Sequence, residues 1–421
     1  MTNQQLSKME RCKFFSEAHS SKALASITEN IVKECCLESP NAFWKREKYF
    51  VSLPFDPLQK IKPMKASARL MSPYEREFCA AEIKDLLAKG LIEPSKSTWT
   101  CREFVVNKHS EVKRGKPRLV VNYKTLNDVL QKVLYPLPDK SSLMQRITGC
   151  TIFIKFDLKS GFYQIGIKAE DRFKTTFVVP HGQYQWKVLP FGINNAPFEF
   201  QKRMEDIFRE KQWALVFIDD ILICSKNLQE HLKHLQMFYE LVFKHGLVLS
   251  ESKMEIEKTE MEFLGFKIQK GQVVLQKHVL SVFGHLHDQI LDKTQLQRFI
   301  GSLNYIRPFY RGKDTDIHLL QQRLKKNPAK WSSEMTLAVQ QIKAKVLDLP
   351  PLSLPQGLGK LIIEIDASSH TWGGVLLKAL EGKEHVCGYG SGSFKMTKWN
   401  YPSRHKEILA VKKIVQHFIL F

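Results

Sequence analysis

Two adjacent carboxylates, Asp219 and Asp220, stand inside an apolar decapeptide, Leu215–Cys224, with the sequence LVFIDDILIC. Bare carboxylates in hydrophobic sequence are costly unless a positive charge sits on them. A divalent cation suits all-oxygen ligands of this kind. The alternative is a polar turn, since an Asp-Asp pair arises by chance roughly once or twice in a chain of this length and charge content. Metal chemistry needs a third carboxylate, and Asp157 offers one at the end of an apolar run in TIFIKFDLKSGFYQIGI (151–167). Taken alone, Asp157 is better explained as a strand-end residue in a turn. Brought together, three carboxylates would repel by several kcal/mol, on the order of 4 per close pair at an effective dielectric of about 20. Two divalent ions between them relieve this, and can activate an attacking oxygen while neutralising a leaving group.

The elements that must position these groups are legible in outline. The runs flanking Asp219 and Asp220 read as two short strands, with the acidic pair at the tip of a tight hairpin. Asp157 closes another strand, followed by a Ser-Gly turn and a second strand of alternating pattern. Strands are also expected at 103–107 (EFVVN) and 118–122 (RLVVN), separated by the basic loop KHSEVKRGK. That loop is either a solvated hairpin or a closure over phosphates, with Lys116 and Arg118 as donors; the planar Arg fork suits two phosphate oxygens at once. Gly192, in a Leu-Pro-Phe-Gly turn, lets backbone approach a ligand closely, and a helix runs from near Asn195 and Pro197 to about Glu210.

Around this centre, residues 1–70 form a short helical region and an extended lead-in, where FWKREKYFVSLPFDPLQKIKPMK lies along a surface as a linker. A helix capped by Ser72, with Pro73 in its first turn, presents Phe78, Ile83, Leu86 and Leu87 and ends at Gly90. An amphipathic helix covers 228–245 and stops at Gly246, and two short strands carry FLGF (263–266). Residues 276–345 alternate helical patterns with basic clusters, among them Arg307, Arg311, Lys313, Lys325 and Lys326. A proline-rich boundary, DLPPLSLPQG, precedes three strands (LIIEID, TWGGVLL, HVCGYGS) and a helix from about Pro402.

Composition bounds the partners. The chain has 421 residues, room for two or three domains, and 64 Lys+Arg against 43 Asp+Glu, a formal charge of +21. Such a field points to a polyanion. The basic residues are spread along the whole chain, which favours a long nucleic-acid duplex over a membrane patch. No apolar run approaches a membrane span, and Met1–Ser20 is too polar for a signal peptide. The eight cysteines show no Cys-x-x-Cys spacing, and Cys35 and Cys36 read as ordinary thiols, so a reducing intracellular setting is expected. The cytoplasm is the first expectation, with a virus-like particle or the nucleus as alternatives.

In series, these motifs resemble the reverse transcriptase of retroelements, especially of plant pararetroviruses (the caulimovirus family) and gypsy-like retrotransposons, from about Glu34 to Phe421. The resemblance implies an α+β right-hand polymerase. Fingers and palm would span 71–275 and a helical thumb and connection 276–354, followed by a partial ribonuclease H-like α/β domain at 355–421. It implies that Asp157, Asp219 and Asp220 are the catalytic, Mg²⁺-binding aspartates of a two-ion site, with Mn²⁺ as an alternative ion. Phe217 stands where the family more often has Tyr. Phe162 matches the side chain under the sugar that excludes a ribose 2′-hydroxyl; otherwise it is a core aromatic. LPFGINNAPFEFQ (189–201) matches the template- and nucleotide-contacting motif, with Phe191 and Gly192 beside the incoming base. Lys116 and Arg118 match the triphosphate contacts, and Asn122 replaces the usual Asp. Lys253 matches a lysine that donates a proton to the leaving pyrophosphate, against a plain exposed strand lysine. Leu264 and Gly265, flanked by Phe263 and Phe266, match the primer grip.

The last segment resembles ribonuclease H, with Asp366 in IIEIDAS and Glu407 in RHKEILA matching two of its metal-binding acids. The chain stops before further acids of that fold, so little or no RNA cleavage is expected. The implied activity is RNA- and DNA-directed DNA synthesis, with an RNA template, a DNA primer, an RNA–DNA hybrid and dNTPs as partners. The rival reading is a decayed, integrated element that binds nucleic acid without polymerising. A telomerase-like cellular enzyme fits less well, because a ribonuclease H segment is attached. His231 and His234 lack supporting ligands, and Asp314-Thr-Asp316 lacks the glycine of an aspartic protease signature.

Overall fold

In the computed structural model, which describes residues 22–37, 42–106, 117–138, 140–147, 149–258, 260–269, 271–355 and 359–419, the chain divides into two units. The first takes residues 1–138, 155–223 and 228–255, and the second 139–154, 224–227 and 256–421. The strands in chain order begin with β1 (Ile92–Pro94), β2 (Cys101–Val106), β3 (Arg118–Asn122) and β4 (Ile152–Asp157). They continue with β5 (Phe177–Val179), β6 (Gly182–Trp186), β7 (Ala214–Phe217) and β8 (Asp220–Ser225).

In the first unit, one sheet has the order β1-β6-β5-β2-β3, and β8 lies between β7 and β4 in another. The β7–β8 hairpin pairs Phe217 with Asp220, so its tip is Ile218–Asp219 and Asp220 already belongs to the strand. The expected Asp-Asp tip is therefore displaced by one residue. Ile218 takes φ +54° there, a conformation that a β-branched side chain rarely adopts.

The second strand expected after Asp157 does not form. Ser160 turns left-handed (φ +54°), and Gly161–Gln164 is a 3₁₀ turn. Its apolar residues still point inward, with Ile165 and Ile167 fully buried, so burial has followed the pattern while hydrogen bonding has not. The helix Pro73–Ala88 starts on a reciprocal Ser72–Glu75 capping box. Cys79 packs beside Ile83 and Leu86, while Leu87 is exposed, a face rotated from the one expected. The helices Ala196–Ile207 and Leu228–His245 follow the sequence pattern closely.

The lead-in is more than a surface linker. Val51 and Leu53 are buried, and Val51 bridges Ile167 in parallel. A buried ion pair grips the segment. Asp171 Oδ2 accepts the Leu53 N–H (2.8 Å), and Lys174 Nζ donates to the Leu53 carbonyl (2.6 Å) and to Asp171 (2.5 Å). Each charge is thus paired and further hydrogen-bonded to the Leu53 backbone, which offsets the cost of burying it.

After β9 (Glu255–Lys258), the second unit contains β10 (Glu260–Phe263), β11 (Phe266–Gln269), β12 (Gln272–Leu275) and β13 (Leu352–Ser353), in that spatial order. The proline-rich stretch thus contributes a short strand instead of acting only as a boundary. The helices Lys293–Tyr305 and Ser333–Leu347 bury Phe299, Leu303, Val339 and Ile342 in a shared core. A three-stranded sheet, β14 (Lys360–Ala367), β15 (Thr371–Leu380) and β16 (Lys383–Ser393), packs against the helix Ser403–Phe418 through Leu376, Cys387, Ile414 and Phe418. Among the described residues, no helix is long and apolar enough to cross a membrane.

Candidate active site

Asp157 and Asp220 both come near enough to Asp219 to act on its charge, where β4 ends and the β7–β8 hairpin turns. The Leu158 N–H donates to the Asp219 carbonyl (3.1 Å), and the Ser250 N–H donates to the Asp157 carbonyl (2.8 Å). Backbone bonds thus tie together the three segments that carry Asp157, Asp219 and Lys253. Lys253 Nζ lies 2.8 Å from Asp157 Oδ1, and Lys155 Nζ lies 3.4 Å from Asp220 Oδ1. Lys155 is two residues before Asp157 on the same strand, so both side chains point to one face of the sheet. Nothing in the sequence pattern marked Lys155 beforehand.

Asp219 is the carboxylate left between the two ion pairs. Its Oδ1 is buried and accepts no hydrogen bond. Burial, followed by the charges of Asp157 and Asp220, raises its pKa to about 6, with Lys253 opposing the shift. Among the described residues, no three His, Cys, Asp or Glu side chains are drawn together closely enough to hold a metal ion. Even so, a buried carboxylate oxygen without a donor, flanked by two further carboxylates, is a donor set that fits a hard divalent cation.

Gly161 was not singled out from the sequence, yet it sets how close Asp219 can come. A Cβ built on Gly161 would lie 2.0 Å from Asp219 Oδ1. The next residue, Phe162, packs against Phe191 (ring centroids 5.1 Å apart) and edge-on to Phe200 (5.6 Å). Tyr163 also meets Phe191 edge-on and stacks on Trp186. Phe191 keeps 46 % of its surface exposed, so this aromatic wall has a free face beside the aspartates. Gly192 (φ +96°) sits against the Val121 carbonyl and the Tyr123 ring, and its own carbonyl accepts from Asn127 (2.9 Å). Arg118, on β3, lies near enough to Tyr163 to act on it electrostatically. Lys116 lies outside the described residues. Asn122 Oδ1 accepts the Lys124 N–H (3.1 Å), a bond that an Asp carboxylate would make equally well.

Leu264 and Gly265 belong to the second unit. They form the two-residue turn between β10 and β11, where Phe263 pairs with Phe266, and both have positive φ, +51° and +83°. The Tyr305 hydroxyl donates to the Leu264 carbonyl, and a Cβ on Gly265 would collide with that hydroxyl. A cavity of about 390 Å³ behind the turn is lined by Val279, Val282, Phe283 and Tyr305. Elsewhere in this unit, Asp366 lies on β14, where its Oδ1 accepts the Ala367 N–H, and Glu407 is exposed on the helix Ser403–Phe418. Asp314 and Asp316 are engaged by Ser391 and by Tyr310 and Lys345. In the first unit, His231 is buried and His234 stacks on Trp213.

Residues 106–268 match the family model described as reverse transcriptase (RNA-dependent DNA polymerase). Residues 331–420 match that of the RNase H-like domain found in reverse transcriptase. The chain is 40 % identical over 410 residues to the genome polyprotein of Petunia vein clearing virus, covering 95 % of this chain and 19 % of the polyprotein. It is 39 % identical over 404 residues to the enzymatic polyprotein of Cauliflower mosaic virus, covering 93 % of this chain and 59 % of that protein. It thus spans only part of these relatives. Among solved structures, the foamy viral protease–reverse transcriptase in complex with double-stranded DNA matches with a TM-score of 0.72 at 19 % identity, over 94 % of this chain and 72 % of that one. The same viral protein in complex with an RNA/DNA hybrid matches with a TM-score of 0.67. The fold is therefore that of a right-hand polymerase with an RNase H-like domain; residues 106–268 carry the reverse transcriptase domain and residues 331–420 the RNase H-like domain found in reverse transcriptases, and the chain is similar to polyproteins of plant pararetroviruses.

Proposed function

We propose that this chain is an RNA- and DNA-directed DNA polymerase that joins dNTPs to a primer 3′-hydroxyl at Asp157, Asp219 and Asp220. One observation carries the reading. Two strands far apart in sequence bring Asp157 and Asp219 together and leave Asp219 Oδ1 buried without a donor. Asp157 and Asp219 would hold the divalent ions, with Asp220 in support, and Mg²⁺ suits such oxygen ligands beside a phosphate-bearing substrate. Bound there, the ions supply Lewis-acid stabilisation of the attacking and leaving oxygens.

The chain's own residues do the rest. Lys253 Nζ, already on Asp157, holds a proton where the pyrophosphate would leave. Phe162 and Phe191 shape the sugar and base positions, Gly192 admits the base, and Arg118 with Lys116 takes the triphosphate. Phe263–Phe266 serves as the primer grip. Fingers and palm at 71–275, thumb and connection at 276–354, and the RNase H-like part at 355–421 remain the proposed division. In that last part Asp366 and Glu407 are proposed as two ligands of a second ion. An RNA template, a DNA primer and a hybrid duplex are the proposed partners, in an intracellular setting.

Primer extension on an RNA template with Mg²⁺ tests the proposal. Extension should be present in the parent, and Asp157→Asn and Asp219→Asn should each lower it by at least about 10³-fold, the scale of an essential electrostatic contribution. Duplex binding without extension by the parent would instead identify a nucleic-acid-binding relic.

A further inference from the structure

β7 pairs with β8 on one side only, so on its other side Val216 and Ile218 turn backbone polar groups toward the protein interior. Such groups are costly if left unpaired. A single side chain pairs them. Gln201, fully buried on the helix Ala196–Ile207, accepts the Ile218 N–H at Oε1 (2.7 Å) and donates from Nε2 to the Val216 carbonyl (3.1 Å). Because an N–H must meet an oxygen and a carbonyl must meet an NH₂, the orientation of this carboxamide is fixed by its partners. Nε2 also donates to Glu205 (2.8 Å), which in turn accepts from the Tyr135 hydroxyl. The residue held is Ile218, whose positive φ is the strained conformation that puts Asp219 at the tip. Strain of this kind persists only where its surroundings over-determine it.

The same device recurs on the other side of the site. Gln164, also buried, accepts the Val248 N–H (2.9 Å) and donates to the Val248 and Lys159 carbonyls (both 2.8 Å). Lys159 follows Asp157 by two residues, and Val248 leads into the segment whose Ser250 bonds Asp157. One carboxamide there reinforces the isolated bridge between Leu158 and Leu249, beside which the Lys159 N–H donates to the Val248 carbonyl (2.9 Å). We propose that Gln201 and Gln164 are positioning residues of the nucleotidyl-transfer site. Each holds with one buried carboxamide the irregular backbone that presents an aspartate: Gln201 the Asp219 turn, Gln164 the Asp157 loop. This rests on the proposed role of the three aspartates.

Gln201→Met and Gln164→Met keep side-chain length and remove both hydrogen-bonding functions. Each should lower kcat for single-nucleotide addition by at least about tenfold, while KM for dNTP and Kd for primer–template stay within about twofold. Mn²⁺ titration followed by electron paramagnetic resonance should show weaker binding. Ile83→Val, in a helix core that touches neither glutamine, should lower Tm without changing kcat. In the folded parent, the Ile218 and Val248 amides should exchange with deuterium as slowly as those of paired strands.

The inference is overturned if both Met variants turn over within about twofold of the parent, or if Ile83→Val loses as much kcat at equal Tm loss. Rapid exchange at Ile218 and Val248 in the parent also overturns it, and needs no variant to fold. A parent that binds Mn²⁺ but extends no primer would refute the polymerase reading alone. The Mn²⁺ affinities of the Met variants then decide this one, with unchanged affinity counting against it. A parent that does neither refutes both.

Discussion

Asp219 carries an electrostatic cost that can be measured without any reaction. Its pKa in the fold is about 6 because burial and two neighbouring carboxylates disfavour its charge, against about 3.9 in an unfolded chain. A raised folded pKa means that the native state binds more protons between those values. The stabilising contribution of the neutral form is therefore complete below pH ~4 and lost as pH rises through ~6. Metal-free Asp219→Asn should accordingly have a higher Tm than the parent at pH 7.5, by a difference corresponding to at most about 3 kcal/mol, and no advantage at pH 4. Thermal melts in chelator across that range check it. Gly161 makes a prediction on the same scale. Gly161→Ala places a methyl group against Asp219 Oδ1, and extension should fall by about 10²-fold or more, as expected when a reacting group is displaced by an ångström, with Tm nearly unchanged. Phe162→Ala should raise incorporation of ribonucleotides relative to deoxyribonucleotides, measured as the ratio of kcat/KM; an unchanged ratio would make Phe162 a core aromatic only.

At the scale of elements, the regular parts were legible and the irregular parts were not. The helix Pro73–Ala88 is specified by Ser72, Pro73 and Glu75, all local signals. The 3.6-residue stripe of Leu228–His245 points inward as its pattern implies, with Leu235, Phe238 and Val242 buried. What the sequence concealed lies where side chains replace sheet hydrogen bonds. Alternation after the Ser-Gly turn suggested a second strand, but Gln164 satisfies the backbone there, and Gly161–Gln164 forms a 3₁₀ turn instead. The buried pair Asp171–Lys174, which anchors the lead-in at Leu53, could not be told from surface charges at i and i+3. His231, buried on the helix Leu228–His245, has a different consequence. Burial, and secondarily His234, lowers its pKa to about 4, below the ~6.5 of an unfolded histidine. The unfolded chain then binds the extra proton between those values, so stability is lost as pH falls from ~6.5 to ~4, by at most about 3 kcal/mol. Unfolding in urea along that pH series should show a steep fall for the parent and a shallower one for His231→Phe. In the second unit, Gly265→Ala forces the Tyr305 hydroxyl off the Leu264 carbonyl and should lower processivity more than single-nucleotide addition.

At the scale of the whole molecule, the charge of +21 gives the proposed binding of a primer–template a measurable salt dependence. Affinity for a primer–template should fall by about 10³–10⁵ between 50 and 200 mM salt if six to ten phosphates are neutralised; a shallow salt slope would deny the duplex that role. Motif order along the chain was readable because each motif is short and local. The two compact units were not, since the first gathers three separate stretches and the second three others. That interleaving has a consequence in time. Asp157 meets Lys253 directly and bonds Ser250 through its carbonyl, so the site cannot close until nearly a hundred further residues have been made. At ribosomal speeds of about 5–20 residues per second, the first aspartate waits on the order of 5–20 seconds for its lysine. The three-aspartate site therefore stays incomplete until the segment that carries Lys253 emerges, whatever has already folded ahead of it.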